Sequence, residues 1–233
     1  SYITNDEQTA ALNEKLSYQE PKESSATKAP HFALMVKQWL EDKYGEEKVA
    51  RSGYVVKTTL NLDIQNKAED AVKAQVANLS SSAVTNGSAV IVDPTSGELL
   101  GLVGSIDYNN EQFGKVNMAT ASRQPGSSFK PIVYGTGIEN RDMTAATIFS
   151  DTAQDFSGYQ PKDYDQRYRG DVTLRRSLAN SLNIPAVEAM QKVGVQTVLD
   201  QAKKAGITTL TESAADYGLP LALGSGQANL LEM

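Results

Sequence analysis

Arg123-Gln124-Pro125-Gly126-Ser127-Ser128-Phe129-Lys130-Pro131 sets Ser127 three residues before Lys130, where a Pro-Gly turn hands over to the apolar run Ile132-Val133-Tyr134. If that run is helical, positions three apart share a face, with Cβ atoms about 5–6 Å apart. A lysine at that distance takes a serine's proton when desolvation leaves it partly neutral. A helix start adds unpaired N–H groups and a positive dipole end, which favour a developing oxyanion. Pro131 falls in the first turn, where its missing N–H costs little. The stretch predicts an acyl-serine site. The competing reading is a helix N-cap serine with a solvated lysine one turn on.

A lone S-x-x-K is a weak signal in a serine- and lysine-rich chain. Ser25-Ala26-Thr27-Lys28 is a second match, and its polar surroundings read as linker. Two other features raise the weight of Ser127. Ser181-Leu182-Asn183 is the only S-x-N in the chain. It follows an amphipathic segment through Leu174 and Leu178 and precedes Ile184-Pro185, which predicts a helix end. Upstream, Ser88 to Gly104 reads as two apolar strands around the turn Asp93-Pro94-Thr95-Ser96-Gly97-Glu98. The chain thus orders a hairpin, a serine at a helix start, and S-x-N.

That order resembles the penicillin-binding proteins and serine β-lactamases, and more closely the bifunctional class A penicillin-binding proteins. The matching blocks are Val56-Lys57-Thr58-Thr59-Leu60 with Asp63-Ile64-Gln65, Ala89 to Gly104, and Arg123 to Tyr134. Tyr168-Arg169-Gly170 through Val187 and Leu221-Ala222-Leu223-Gly224-Ser225-Gly226 follow in the family's order. The resemblance implies an α/β fold of the α+β type, an antiparallel sheet flanked by helices. It implies a tail of a glycosyltransferase region and polar linker at 1–28, and an inter-domain linker region at 29–85. The N-terminal portion of a transpeptidase domain would then span 86–233.

The resemblance also implies roles. Ser127 would be the nucleophile toward a D-Ala-D-Ala peptide bond or a β-lactam, and Lys130 its general base. Ser181 would pass the proton to the leaving amine. The Asn183 amide would bind the substrate's acyl side chain and steady Lys130. The Ser127 backbone N–H would form half of the oxyanion hole. The implied partners are peptidoglycan stem peptides, as D-Ala-D-Ala donor and amine acceptor, and β-lactam antibiotics. The implied location is the extracytoplasmic face of a bacterial membrane, with an N-terminal anchor outside this chain. No cofactor or metal is implied.

The third family motif, K-T-G or K-S-G, is missing. Lys57-Thr58-Thr59 is the nearest string, but it lies upstream and lacks the glycine. The expectation is a fragment that stops before the K-T-G strand, with Leu230-Leu231-Glu232-Met233 inside a helix and a complementary C-terminal fragment as a further partner. A β-lactamase or D,D-carboxypeptidase is the alternative of the same chemistry. Leu182 in place of Asp, and no E-x-x-x-N string after Asn183, favour a transpeptidase. A non-catalytic cell-wall or partner-binding domain lacking the third motif is the alternative of another class.

Composition narrows the field. The formal charge of −6, without a Lys/Arg cluster, argues against a nucleic-acid partner. Arg175-Arg176, the densest basic spot, reads as a solvated helix face. There is no cysteine, hence no disulfide or thiolate site, and His31 is the only histidine. A Ser-His-Asp triad or a His-based zinc site would have to use it, and a structural or exposed role fits its early position better. No apolar run reaches the length of a membrane span.

Elsewhere, Thr4 and Glu7 form a capping box opening a helix to about Leu16, and Ser17 to Pro30 reads as linker. Phe32, Val36, Trp39 and Leu40 recur at helical spacing up to Gly45, with Trp39 as a core anchor. Tyr54 to Leu60 reads as a strand, and Asp63 as the cap of a helix with Ile64, Ala68, Ala71, Val72, Val76 and Leu79 on its apolar face. Asp107 to Met118 reads as a surface loop. Ser150 to Gly170 carries Phe156, Tyr159, Tyr164 and Tyr168, which either line a peptide cleft or pack onto the domain. Glu188 to Leu210 reads as two helical segments broken at Gly194 and Gly206.

Overall fold

In a computed structural model, which describes residues 3–14 and 27–233, the hairpin is an antiparallel pair, β1 (Ala89–Val92) and β2 (Leu99–Val103). Its turn is held by Asp93, whose Oδ1 accepts from the Thr95 N–H at 2.8 Å and hydroxyl at 2.6 Å. Short polar side chains favour such turns because they bond their own backbone two residues on.

Among the described residues four α-helices precede the hairpin. The helix α1 (Asn5–Asn13) opens with the expected capping box, Thr4 Oγ1 accepting from Glu7 N at 3.3 Å and Glu7 Oε2 from Thr4 N at 2.7 Å. It stops before Leu16, with Glu14 extended and no buried residue to prolong it by packing. Leu16, most of the expected linker and Ser25 lie outside the described residues. The second helix, α2 (Pro30–Tyr44), closes at Gly45 and packs His31, Phe32, Met35 and Val36 against the hairpin. Trp39 is not a core anchor. It is 55% exposed, off the packed stripe, with Lys43 Nζ 4.5 Å from its ring centre. A short helix not anticipated, α3 (Glu46–Ser52), follows.

Tyr54 to Leu60 forms no strand, and it meets the hairpin through Thr59, whose Oγ1 donates to Leu99 O at 2.7 Å. The next helix, α4 (Leu62–Asn78), is capped by Asn61 rather than Asp63, since Asn61 Oδ1 already accepts from the N–H groups of Asp63 and Ile64 at 3.0 and 3.1 Å. Its Gln65 is buried and docks on β2 as a neighbouring strand would. Oε1 accepts from Leu102 N at 2.8 Å, and Nε2 donates to Leu102 O at 3.0 Å. Together with Asn61 N donating to Leu100 O at 2.9 Å, these bonds satisfy the outer edge of β2.

The second half is mostly helical. A 3-10 turn (Gly126–Phe129) leads into α5 (Lys130–Glu139). A small antiparallel pair, β3 (Ile148–Asp151) and β4 (Gly170–Thr173), borders the aromatic stretch and is too short to signal periodicity. Then come α6 (Leu174–Ala179), α7 (Asn183–Val193), α8 (Val195–Lys204), α9 (Ala214–Tyr217) and a 3-10 turn (Leu219–Leu223). The break between α6 and α7 falls where S-x-N sits, and Pro185 is tolerated in the first turn of α7. Arg175 and Arg176 are exposed, as expected. The main core packs α5, α7 and α8 through Val133, Tyr134, Ile184, Val187, Met190 and Val198.

Leu230–Met233 is not helical. Glu232 instead accepts from the hydroxyls of Thr208 at 2.8 Å and Thr209 at 2.6 Å, and Leu231 N donates to Ala119 O at 3.0 Å. This tail straps the segment before Ser127: Arg123 and Ala228 exchange backbone bonds of 2.8 and 2.9 Å. Gly224, with φ +74°, lies so close that a Cβ there would collide with the Gly126 backbone. Only glycine satisfies both the positive φ and that approach.

Candidate acyl-serine site

Lys130 begins α5 pointing inward and is fully buried, against Phe129 and the α7 core. Its Nζ donates to the Ser181 carbonyl at 2.5 Å, the Ser181 hydroxyl at 3.1 Å and Asn183 Oδ1 at 2.7 Å. An ammonium has three protons, so these acceptors satisfy it. None is a carboxylate. Burial therefore pulls the Lys130 amine down to about 8, with the Asp163 charge acting in the opposite sense. A solvated lysine is ruled out.

The Ser181–Asn183 turn is shaped for this contact. Ser181 adopts φ +52°, uncommon for a residue with a side chain. Leu182 N donates to Ser177 O at 2.9 Å and Ser181 N to Leu178 O at 3.1 Å, so the turn folds back on α6 and exposes its carbonyl and hydroxyl to Lys130. Strain of this kind persists where surrounding bonds over-determine the backbone.

Ser127 lies on the 3-10 turn one turn ahead of Lys130, and its carbonyl accepts the Lys130 backbone N–H. Ser127 is exposed, and its hydroxyl makes no hydrogen bond among the described residues. The N-cap reading fails, because no side chain caps either this turn or α5. Lys130, Ser181 and Asn183 are thus brought together in direct contact, while Ser127 is one turn away and unpaired with Lys130. A neutral amine has two N–H groups and a lone pair. Loss of one proton would free the longest bond, to Ser181 Oγ, and leave a lone pair for a hydroxyl to approach. Contacts of this kind commonly tighten only with substrate bound.

Several participants were not singled out from the sequence. Asn183 Nδ2 donates to Lys162 O at 2.7 Å, and Asn183 N donates to Asp163 at 2.5 Å. Behind Asp163 stand Arg169 and Asp151. The signal available was the charge alternation within 151–169, overshadowed by its aromatics. Of those, Phe156 is buried and Tyr159 half-buried, while Tyr164 and Tyr168 are exposed. His31 is buried and lies 3.0 Å from the Ser105 hydroxyl, but Ser105 donates to Gly114 O at 3.0 Å, so its proton is committed. Burial lowers the His31 pKa, and among the described residues no carboxylate is bonded to the ring. This Ser-His pair is structural. Lys57-Thr58-Thr59 packs beside the hairpin through Thr59.

The fold thus sets a buried lysine on the S-x-N turn, one turn from an exposed serine. The chain belongs to the family described as penicillin binding protein transpeptidase domain, which matches residues 87–220. It is 32% identical over 226 residues to penicillin-binding protein 1F of Bacillus subtilis, covering 96% of this chain and 30% of that protein. Penicillin-binding protein 1B of Vibrio cholerae is 34% identical over 190 residues, covering 78% of this chain and 24% of that one. The chain thus spans about a third or less of the curated relatives it matches. In fold it resembles PonA1 of Mycobacterium tuberculosis solved with penicillin V, with a TM-score of 0.73 at 21% identity over 88% of this chain and 57% of that one. Penicillin-binding protein 1A of Haemophilus influenzae gives 0.67 at 21% identity, covering 99% of this chain and 48% of its own.

Proposed function

We propose that this chain carries the acylating half of a peptidoglycan D,D-transpeptidase site. Ser127 Oγ attacks the carbonyl carbon of the penultimate D-Ala, and its proton passes to neutral Lys130. Ser181 relays a proton to the departing D-Ala amine as the C–N bond breaks, leaving an ester on Ser127. An acceptor amine from a second stem peptide then displaces the serine and forms the cross-link. Asn183 holds Lys130 and presents its amide to the donor. β-Lactams acylate the same serine. The reading rests on one observation above the rest: a fully buried lysine bonded only to the S-x-N turn, with a pKa of about 8.

The proposed organisation keeps residues 1–28 as the tail of a glycosyltransferase region and polar linker, 29–85 as an inter-domain linker region, and 86–233 as the N-terminal portion of a transpeptidase domain. A segment bearing a K-T-G strand, on the same or another polypeptide, would complete the substrate-carboxylate site. The parent protein would also carry a glycosyltransferase and work at the extracytoplasmic face of the membrane. Among the described residues no helix is long and apolar enough to cross a membrane.

The test is intact-mass spectrometry of the full-length gene product after incubation with a penicillin, with peptide mapping. One adduct on Ser127, lost in Ser127→Ala, is expected. Labelling that persists in that variant would sink the assignment.

A further inference from the structure

Asn183 is gripped from two sides by consecutive residues of the β3–β4 loop. Lys162 O accepts from its side-chain Nδ2, and Asp163 Oδ1 accepts from its backbone N–H. An asparagine amide turns either its oxygen or its nitrogen toward a neighbour. With Nδ2 committed to Lys162, Oδ1 is left for the Lys130 ammonium, 2.7 Å away.

Asp163 is itself held from behind. Its buried carboxylate accepts from Arg169 Nη1 at 3.3 Å. Arg169 bonds Asp165 at 2.8 Å and lies 3.6 Å from Asp151 Oδ2, which also accepts the Arg169 backbone N–H at 2.9 Å. Asp151, at the end of β3, is fully buried, and its Oδ1 has no hydrogen-bond partner. Two carboxyls sharing one buried site disfavour double ionisation. Burial and then the neighbouring Asp163 hold the Asp151 carboxyl above the usual range. A proton shared from Asp151 would relieve that repulsion.

We propose that Asp163, backed by Asp151 and Arg169, is a positioning residue for acylation: it locks the Asn183 acceptor against Lys130 and sets the charge that Lys130 feels. The other charged groups around the cluster are Lys162, Asp165 and Arg167 on the same loop and Glu188 on α7, whose Oε2 accepts from Ser150 N at 3.0 Å. Arg169 stays cationic throughout, and on α5 both Lys130 and Tyr134 feel the Asp163 charge, the Tyr134 hydroxyl being held well above the usual phenol range chiefly by burial. The sign is fixed by charge. Asp163 raises the Lys130 pKa against the lowering by burial, so removing that charge makes Lys130 a weaker base that is neutral at lower pH.

This deepens the acyl-serine reading and rests on it for the kinetic arm only. In the full-length gene product, the 13Cε resonance of Lys130, assigned with Lys130→Arg, is titrated alongside the rate of penicillin acylation across pH. Asp163→Asn should shift the Lys130 midpoint and the acidic limb of the rate profile together to lower pH. Asp163→Ala should also slow acylation on the order of 10–100-fold, as a misplaced positioning contact does. Asp151→Asn keeps a donor toward Asp163 and should lose less than Asp151→Ala. An unmoved Lys130 midpoint in Asp163→Asn, or a rate that drops equally at every pH, overturns the proposal, and equal losses in the two Asp151 variants overturn the shared proton. Should Asp163→Ala not fold, Asp163→Asn decides. A wild-type protein without an adduct would defeat the acyl-serine reading instead, while the Lys130 titration would still decide the role of Asp163.

Discussion

The half of the molecule around α5 and α7 and the half around the hairpin hold their apolar residues differently. In the first, Phe129, Val133, Tyr134, Phe149, Ile184, Val187 and Met190 are buried in one continuous cluster. In the second, the buried cluster is Ala29, Phe32, Leu102 and Ala119, while Trp39, Tyr54, Val55, Val56 and Val92 remain exposed. The lysine sits in the dense half. A buried ammonium needs acceptors fixed in place, because the cost of desolvating it is recovered only when every proton is bonded. Dense packing on α7 and the loop bonds to Asn183 provide that fixity. The hairpin half meets a looser requirement, since Gln65, Asn61 and Thr59 satisfy its edge by hydrogen bonding rather than by packing.

The sharpest way to break this contrast is at its centre. Lys130→Ala should lower penicillin acylation by about 10²–10⁴-fold, the usual weight of a positioned general base, as read by mass-detected adduct formation. In the wild type the acylation rate should rise with pH about a midpoint near 8, because only the neutral amine accepts the serine proton. Stability follows the same group. Lys130 titrates near 8 when folded and near 10.5 when exposed, so between those values the unfolded chain binds more protons and stability rises with pH. Below 8 the buried cation carries its whole cost. A urea midpoint that fell from pH 8 to 10 in the wild type relative to Lys130→Met would contradict this sign.

The next effect separates the two cores. Phe149→Ala should cost about 3–5 kcal/mol in urea denaturation, because its surroundings cannot collapse into the void. Phe32→Ala, in the thin cluster beside the hairpin, should fall below that range; an equal loss would erase the distinction. The smallest effect is local. Asn61→Ala should cost about 1 kcal/mol by uncapping α4, without altering acylation. Any change in the Lys130 titration in that variant would mean the two halves are more tightly coupled than their packing implies.

Much of the local structure was legible in the sequence because its causes lie within a few residues. The Asp93 turn, the Thr4–Glu7 box, the breaks at Gly194 and Gly206, and the S-x-x-K and S-x-N strings each carry their own short-range chemistry. The misreadings have particular causes. Asn61, two residues upstream, took the cap assigned to Asp63, Trp39 lies off the packed stripe, the 54–60 segment pairs with no strand, and the tail near Met233 was tied down by Thr208 and Thr209 instead of continuing as a helix.

By itself, the sequence determined that a serine and a lysine share a turn, and that an S-x-N turn follows between helices, since spacing and turn chemistry depend on adjacent residues. Only the tertiary structure decided that the lysine's protons all go to Ser181 and Asn183, and that Lys162 and Asp163 orient that asparagine. Those choices join residues 20 to 53 positions apart. Desolvation and hydrogen-bond completeness, which select them, exist only once the chain has closed around the site.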